Sequence, residues 1–168
     1  WRDVLSGEGR GEVNANPIAA ALLDTVHRFN LPVQALRNLI ESRAFDLYDD
    51  PMPSQSDLEG YCGETCSSLI RLVSLVLAGG HDPGGADACG HAGVAFAITG
   101  LLRALPWHAA RGQLYVPADI LQKQSVTREQ VLSGQMTPAF CNVLAEMRAL
   151  ARHHYDAALN GAAQMDAC

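Results

Sequence analysis

The chain has 168 residues, a formal net charge of −6 and an apolar fraction of 48%, so it is long enough for one compact domain that buries about 70% of its unfolded surface. Its basic residues are scattered, which leaves no electrostatic footprint for nucleic acid or for an anionic membrane surface. No signal peptide or membrane span is predicted, because Arg71 and Arg103 interrupt the two most apolar stretches.

Helix signals separated by short proline and glycine breaks run along the whole chain. Typical N-terminal signals are Asn16 before Pro17 and the capping-box pattern that opens at Ser54. The helices predicted in this way cover approximately residues 17–29, 32–48, 54–76, 86–105 and 117–122, a short one capped by Thr127, and 138–160. No window alternates as a strand does, so the fold class is predicted to be all-α with at least six helices.

The periodicity of the apolar residues predicts which helix faces are buried. The inward-facing residues expected in the first two helices are Ile18, Leu22, Val26, Leu36, Ile40, Ala44 and Leu47. The helix over residues 86–105 is rich in small residues and apolar on most sides, which predicts burial at the centre of a bundle. Pro106 is expected to end or kink it.

The five cysteines are odd in number and lack the CxxC spacing of a metal or redox motif. They are Cys62, Cys66, Cys89, Cys141 and Cys168. Because most of them fall in apolar helical runs, we expect reduced, buried thiols rather than a disulfide framework. Cys62 and Cys66 lie at i and i+4, but nothing at suitable spacing completes a four-ligand zinc site.

Residues 100–117, GLLRALPWHAARGQLYVP, carry the most informative pattern in the chain. They resemble the second aspartate-rich segment of the squalene/phytoene synthase family, written roughly N-I-L-R-D-x-x-x-D-x-x-R-G-R-I-Y-L-P. Arg103 and the run from Arg111 to Pro117 fit that frame. Its two aspartate positions, however, hold Ala104 and His108, and its asparagine position holds Gly100.

These replacements remove the chemistry that the resemblance implies. Mg²⁺ neutralises a diphosphate and takes oxygen ligands in a near-octahedral shell. Ala104 supplies no donor atom, and His108 offers a nitrogen ligand that suits zinc or copper better. We therefore expect this segment neither to hold Mg²⁺ nor to ionise a diphosphate, and we assign no catalytic residue, metal ligand or cofactor to it.

The resemblance extends over nearly the whole chain, for example at Phe29–Pro32 and at Tyr61-Cys62. The run from Glu64 to Leu69, with Asp49-Asp50 upstream and the Pro106-x-His108-x-x-Arg111 pattern downstream, resembles a non-enzymatic branch of the family that contains a complex I assembly factor. The family's first aspartate-rich motif would precede residue 1, and its closing helices would follow residue 168. The resemblance thus implies one isoprenoid-synthase-type helical domain over residues 1–168, incomplete at both ends.

Arg103, Arg111 and Tyr115 match basic and aromatic positions that lie beside the diphosphate pocket in the family. They are candidates for weak binding of a diphosphate or another anionic head group, because guanidinium groups bind phosphate bidentately. The alternative is that Arg103 pairs with a carboxylate inside the bundle while Arg111 caps nearby carbonyls.

Other polar residues are expected to be structural. Asp46 and Asp50 have metal-like i,i+4 spacing, but a solvated helix end running into a proline-rich turn is favoured, since the helix dipole disfavours negative charge there. A metal site at His153 and His154 is not favoured, because adjacent residues on a helix point about 100° apart and do not easily share an ion. These two residues and His108 are therefore expected at the surface.

The function that the resemblance implies is a non-catalytic binding or assembly protein for respiratory complex I. Its partners would be a protein and, in addition, a prenyl lipid or membrane surface. Its compartment would be the bacterial cytoplasm, peripheral to the inner membrane, or the mitochondrial matrix. The alternative is a head-to-head prenyltransferase of squalene or phytoene synthase type, which would use Mg²⁺ held by the first aspartate-rich motif. A third possibility is a prenyl-lipid carrier without chemistry.

Overall fold

The computed structural model describes residues 1–9 and 13–163, and within these ranges it contains helices and turns but no strand. This confirms the all-α prediction. The α-helices are α1 (Arg2–Ser6), α2 (Pro17–Arg28), α3 (Val33–Ser42), α4 (Gln55–Cys62), α5 (Ser68–Leu77), α6 (Ala86–Ala109), α7 (Ala118–Lys123), α8 (Arg128–Leu132) and α9 (Pro138–Ala162). Short 3₁₀ helices lie at Val13–Ala15 and Arg43–Leu47, and a π-helical turn, Gly63–Ser67, joins α4 to α5.

Side-chain caps fix where several helices begin. The Asn16 side chain accepts hydrogen bonds from the backbone N–H groups of residues 18 and 19 at 3.0 and 3.1 Å. Ser54 accepts from the N–H of residue 57, and Thr137 from that of residue 140. Thr127 forms a complete capping box with Gln130. Each cap satisfies N–H groups that the first helical turn leaves without an intrahelical partner.

The long helices α6 and α9 form an antiparallel pair at the centre of the fold. Their direction follows from two contacts: a methyl group added at Gly161 would lie 3.1 Å from Ala88 Cβ, and His154 contacts His91. The main core lies along this pair and includes the fully buried residues Leu58, Ile98, Leu114, Val131, Val143 and Met147. A smaller cluster of Val26, Leu31 and Leu72 joins α2, the α2–α3 turn and α5.

The π turn packs directly on α6. Ser67 Oγ donates a hydrogen bond to the Gly90 carbonyl at 2.6 Å. A Cβ atom at Gly93 would lie 2.3 Å from the backbone N, Cα and side-chain Oγ of Ser67, so a glycine is required for the two segments to approach this closely. The neighbouring hydroxyls do not take part in this contact, since Thr65 and Ser68 bond to carbonyls of their own helical segment.

Several expectations about helix ends and faces were wrong. Of the two effects expected of Pro106, it does not end the helix: α6 continues to Ala109, because a proline in the last turn removes only one intrahelical hydrogen bond. The helix expected over residues 54–76 contains the π turn, and the one expected over 32–48 narrows to a 3₁₀ helix after Ser42. Ile18 and Leu47, expected to face inward, are 68% and 80% exposed.

α6 is the one helix in residues 1–9 and 13–163 whose length and mean hydropathy, 1.4, would suit a membrane span. Its flanks carry α5, the π turn and α9, and Val94 and Ile98 are buried between them. A core helix of a bundle has the same composition, so this hydropathy alone does not indicate a membrane.

Candidate functional site

Asp46 is the centre of a polar cluster that joins three segments of the chain. Its Oδ1 atom accepts hydrogen bonds from the hydroxyls of Tyr61 and Tyr115, both at 2.8 Å. Its Oδ2 atom accepts from Arg43 Nη1 at 3.0 Å, and Arg43 also donates to the Tyr61 hydroxyl. The interpretation of Asp46 as a solvated helix end was therefore wrong, although Asp49 and the residue after it are exposed.

Aromatic rings surround this Asp46 cluster. The rings of Phe45, Tyr61 and Tyr115 lie pairwise 5.8 Å apart. Burial, followed by the hydrogen bond to Asp46, raises the pKa of Tyr115 to about 12 and raises the pKa of Tyr61 further. Both phenols are therefore protonated at neutral pH and act as hydrogen-bond donors to the Asp46 carboxylate.

Gly100, Ala104 and His108 lie along one face of α6, four residues apart, and the last of them reaches the Asp46 cluster. The His108 ring packs against Tyr115 with a centroid distance of 4.8 Å. Burial lowers the pKa of His108. The negative charge of Asp46 opposes this downward shift, and the positive charge of Arg111 adds to it. At neutral pH the imidazole is therefore the neutral form.

This donor set does not fit Mg²⁺. Ala104 has no ligand atom, His108 offers nitrogen, and Asp46 already accepts three hydrogen bonds. In the part of the chain that the structure describes, no three His, Cys, Asp or Glu side chains converge to hold a metal ion.

The three residues predicted to bind an anion have different surroundings. Arg103 lines a groove beside α9. The Arg111 guanidinium stacks on the Trp107 ring at 3.7 Å from its centroid, while Tyr115 belongs to the Asp46 cluster. Their contacts do not bring them into one site. Among the described residues, Arg103 makes no ion pair and Arg111 no hydrogen bond to a carbonyl, so neither expected alternative contact is formed.

An open cavity of about 1050 Å³ lies between α5, α6 and α9. We call it the α5–α6–α9 groove. Its walls include the exposed side chains Val73, Leu77, Phe96, Tyr155 and Leu159. The sequence predicted that α6 would be covered on most sides, and this was wrong for the face that carries Phe96, which is 71% exposed.

A histidine pair joins α6 to α9. The Nδ1 atoms of His91 and His154 lie 2.9 Å apart, so one ring donates its N–H to the other. Glu59 Oε1 of α4 lies 3.6 Å from His154 Nε2. Burial lowers the pKa of His154, and the Glu59 hydrogen bond opposes that shift. The surface location predicted for His154 was wrong, whereas His153 is exposed as expected.

Sequence reasoning missed this pair, although a signal was present. Buried positions of α9 follow the spacing Met147, Ala151, His154 and Ala158, which is the period of one helix face.

The four described cysteines are free thiols. Cys62 and Cys89 are buried, Cys66 is half-buried and Cys141 is exposed, while Cys168 lies outside the described residues. Burial raises the pKa of Cys62 to about 12, so it is a packing thiol and not a nucleophile.

The chain is similar to members of one protein family both in sequence and in structure. The squalene/phytoene synthase family model matches residues 1–167. The chain is 33% identical over 154 residues to "NADH dehydrogenase (ubiquinone) complex I, assembly factor 6" of Rattus norvegicus, covering 92% of this chain and 46% of the relative. It is also 30% identical over 162 residues to presqualene diphosphate synthase of Rhodopseudomonas palustris, covering 94% and 56%. The chain thus spans about half the length of these relatives.

Solved structures show the same fold at lower identity. Squalene synthase HpnC from Alicyclobacillus acidocaldarius matches with a TM-score of 0.82 and 21% identity, over 98% of this chain and 60% of that one. A dehydrosqualene synthase matches with a TM-score of 0.77 and 17% identity, over 98% and 56%. These matches confirm the predicted isoprenoid-synthase-type helical bundle and fit a chain that covers part of it.

Proposed function

Because the chain belongs to the squalene/phytoene synthase family, we propose that it is a non-catalytic member whose role is to bind and help assemble respiratory complex I. The observation that carries this proposal is the composition of the second aspartate-rich segment, where Ala104 and His108 stand at the expected aspartate positions. The nearby carboxylate, Asp46, is engaged by two phenols and an arginine.

The comparisons support an assembly role more than a catalytic one. Relatives named as assembly factor 6 of complex I occur in four mammals at 30–34% identity. The partner would be a protein of that respiratory complex. The place of action would be the cytoplasm beside the inner membrane of a bacterium, or the mitochondrial matrix.

The second candidate is a head-to-head prenyltransferase, favoured by the 30% identity to presqualene diphosphate synthase. In that reading Arg103, Arg111 and Tyr115 would contact the diphosphate. The donor set of this segment does not fit Mg²⁺, so no metal-dependent step is assigned to these residues.

One pair of assays separates the two candidates. Deletion of the gene should lower the amount of assembled complex I on native gels and its NADH oxidation rate, and the intact gene should restore both. Purified protein incubated with farnesyl diphosphate and Mg²⁺ should yield no C30 product. Magnesium-dependent product formation, or unchanged complex I in the deletion strain, would contradict the proposal.

Restoring carboxylates tests whether only the metal ligands of this segment are missing. The double variant Ala104→Asp/His108→Asp should gain no magnesium-dependent turnover, because the neighbouring carboxylate, Asp46, already accepts three hydrogen bonds and is not free to join the two new carboxylates around a metal ion. Calorimetric titration with a non-hydrolysable farnesyl diphosphate analogue, with and without Mg²⁺, provides a second readout. Tight binding that requires Mg²⁺ in the unaltered chain would favour the prenyltransferase.

A further inference from the structure

The histidine pair joins three helices at one level of the bundle. His91 of α6 and His154 of α9 meet through their Nδ1 atoms, 2.9 Å apart, and their ring centroids lie 5.0 Å apart. The two rings therefore meet edge to edge, with one proton between the two nitrogens. Glu59 of α4 lies beside the other nitrogen of His154, with its Oε1 atom 3.6 Å from Nε2. Neither ring lines the α5–α6–α9 groove.

The charge beside His154 decides which histidine donates. Gln55 donates a hydrogen bond to Glu59 Oε1 at 2.8 Å and so holds this carboxylate in place. A carboxylate next to one ring nitrogen favours a proton on that nitrogen, so neutral His154 carries its proton on Nε2. Its Nδ1 atom is then the acceptor, and His91 Nδ1 donates to it.

The two histidines respond differently to a further proton. A proton added to His91 Nε2 leaves the hydrogen bond in place and turns its donor into a cation, which strengthens the bond. A proton added to His154 has only Nδ1 to bind, and there it removes the acceptor. Both facing nitrogens would then carry N–H groups, and two positive rings would lie at contact distance. That state breaks the contact between α6 and α9.

The charged groups that act on the His154 ring come from α4, α6 and α9. They are Glu59, His91 and His153, its neighbour on α9. Burial has the largest effect and lowers the pKa of this ring below its ordinary value of 6.5. Asp87, one turn before His91, is exposed, and the π turn presents an uncharged hydroxyl to the carbonyl of the residue before His91. The fold therefore keeps His154 neutral at pH 7 and admits its second proton below pH 6.5.

The pair lies where α9 changes from large to small buried side chains. Before the pair, the buried residues of α9 include Phe140 and Met147, but from the pair onward they are His154 itself and Ala158. One alanine side chain buries little apolar area. Residues 155–162 therefore depend largely on the histidine pair for their attachment to α6.

We propose that the His91–His154 pair is a proton-operated latch: it holds residues 155–162 of α9 on α6 while His154 Nδ1 is free of a proton, and it releases them when that atom takes one. The latch closes this part of the bundle at neutral and alkaline pH and opens it in acid. Histidine suits this role, since it changes charge between pH 5 and 8. The latch is independent of the proposed function and of the degenerate aspartate-rich positions.

The first test determines which nitrogens carry protons. Two-bond nitrogen-15 to proton correlation spectra of the labelled 168-residue chain distinguish the two neutral forms of each histidine ring. At pH 7, His154 should carry its proton on Nε2 and His91 on Nδ1. A neutral His154 that is protonated on Nδ1 would overturn the latch, because the acceptor would then be His91.

Amide hydrogen exchange measures the release of the end of α9. Between pH 7 and pH 5, protection factors corrected for the intrinsic pH dependence of exchange should fall at least about fivefold for residues 155–162. Each unit of difference between the pKa values of His154 in the released and latched states contributes up to about tenfold. Residues 140–150 should change less than about twofold. An equal fall in both segments, or no protection of residues 155–162 at pH 7, would contradict the latch.

Substitutions identify the proton that opens the latch. Glutamine takes up no proton in this range, so His154→Gln should make the protection of residues 155–162 independent of pH. His153→Gln changes the exposed neighbour and should keep the full fall. The latch is wrong if the fall persists in His154→Gln or disappears in His153→Gln. If His154→Gln does not fold, the unaltered chain decides, because its His154 ring must gain the Nδ1 proton over the same pH range in which protection falls.

Discussion

Replacement of Gly93 by alanine tests the closest approach between two segments of the fold. The added Cβ would lie 2.3 Å from three atoms of Ser67, two of them backbone atoms, whereas ordinary contact begins at 3.4 Å. The π turn and α6 would therefore have to separate by roughly 1 Å. Overpacking of this kind typically costs 1–3 kcal/mol, and the hydrogen bond from Ser67 to Gly90, worth about 1 kcal/mol, would lengthen.

Gly90 provides a matched control three residues away on the same helix. A Cβ atom added there meets nothing within 4 Å, so Gly90→Ala should show only the gain in helix propensity, about 0.5–1 kcal/mol. Gly93→Ala makes the same gain and loses more through strain, for a net loss of about 2 kcal/mol. For a chain of this length that corresponds to a melting temperature lower by about 4–8 °C.

Urea unfolding followed by circular dichroism at 222 nm measures the free energy of unfolding of each variant. The expected order of stability is Gly90→Ala, then the unaltered chain, then Gly93→Ala. If Gly93→Ala unfolds at the same urea concentration as Gly90→Ala, or at a higher one, the close contact between the π turn and α6 is not a constraint on this fold.

Two further substitutions test the polar clusters. Because burial holds the pKa of His154 below its ordinary value of 6.5, the unfolded chain binds a proton that the folded chain releases. The free energy of unfolding should therefore fall as pH drops from 6.5 towards the folded pKa, by about 1.4 kcal/mol for each pKa unit of difference. His154→Gln should flatten this dependence in urea titrations at pH 5–7, leaving only a part from His108, whereas His153→Gln should not. Tyr115→Phe removes one hydrogen-bond donor to Asp46 and should lower the free energy of unfolding by about 1.5–3 kcal/mol. The control Tyr48→Phe, at an exposed position, should change it by less than about 0.5 kcal/mol. Equal losses in the two variants would contradict a bonding role for Tyr115.

The helix starts could be predicted from sequence because the signals that fix them are local. Asn16, Ser54 and Thr137 each bond to backbone groups two or three residues away, and such short-range preferences do not depend on the rest of the fold. The fold class followed from the same signals together with the resemblance over the whole chain. The π turn was missed, and its closest packing contact joins Ser67 to Gly93, 26 positions apart.

The polar sites depended on contacts that no local pattern contains. Asp46 follows a helix and precedes a proline-rich turn, which favours a solvated carboxylate, but its donor Tyr115 comes from 69 positions later in the chain. His91 and His154 are 63 positions apart. Ile18 and Leu47 fit the apolar period of their helices yet remain exposed, because periodicity identifies an apolar face without identifying what covers it.

α6 links the α5–α6–α9 groove to the Asp46 cluster along one side of the helix. Phe96, which lines the groove, precedes Gly100 by four residues, the same step that separates Gly100, Ala104 and His108. A step of four residues turns only about 40° around a helix axis. The groove and the degenerate aspartate-rich positions are therefore neighbouring parts of one surface of α6, which local sequence patterns alone do not reveal.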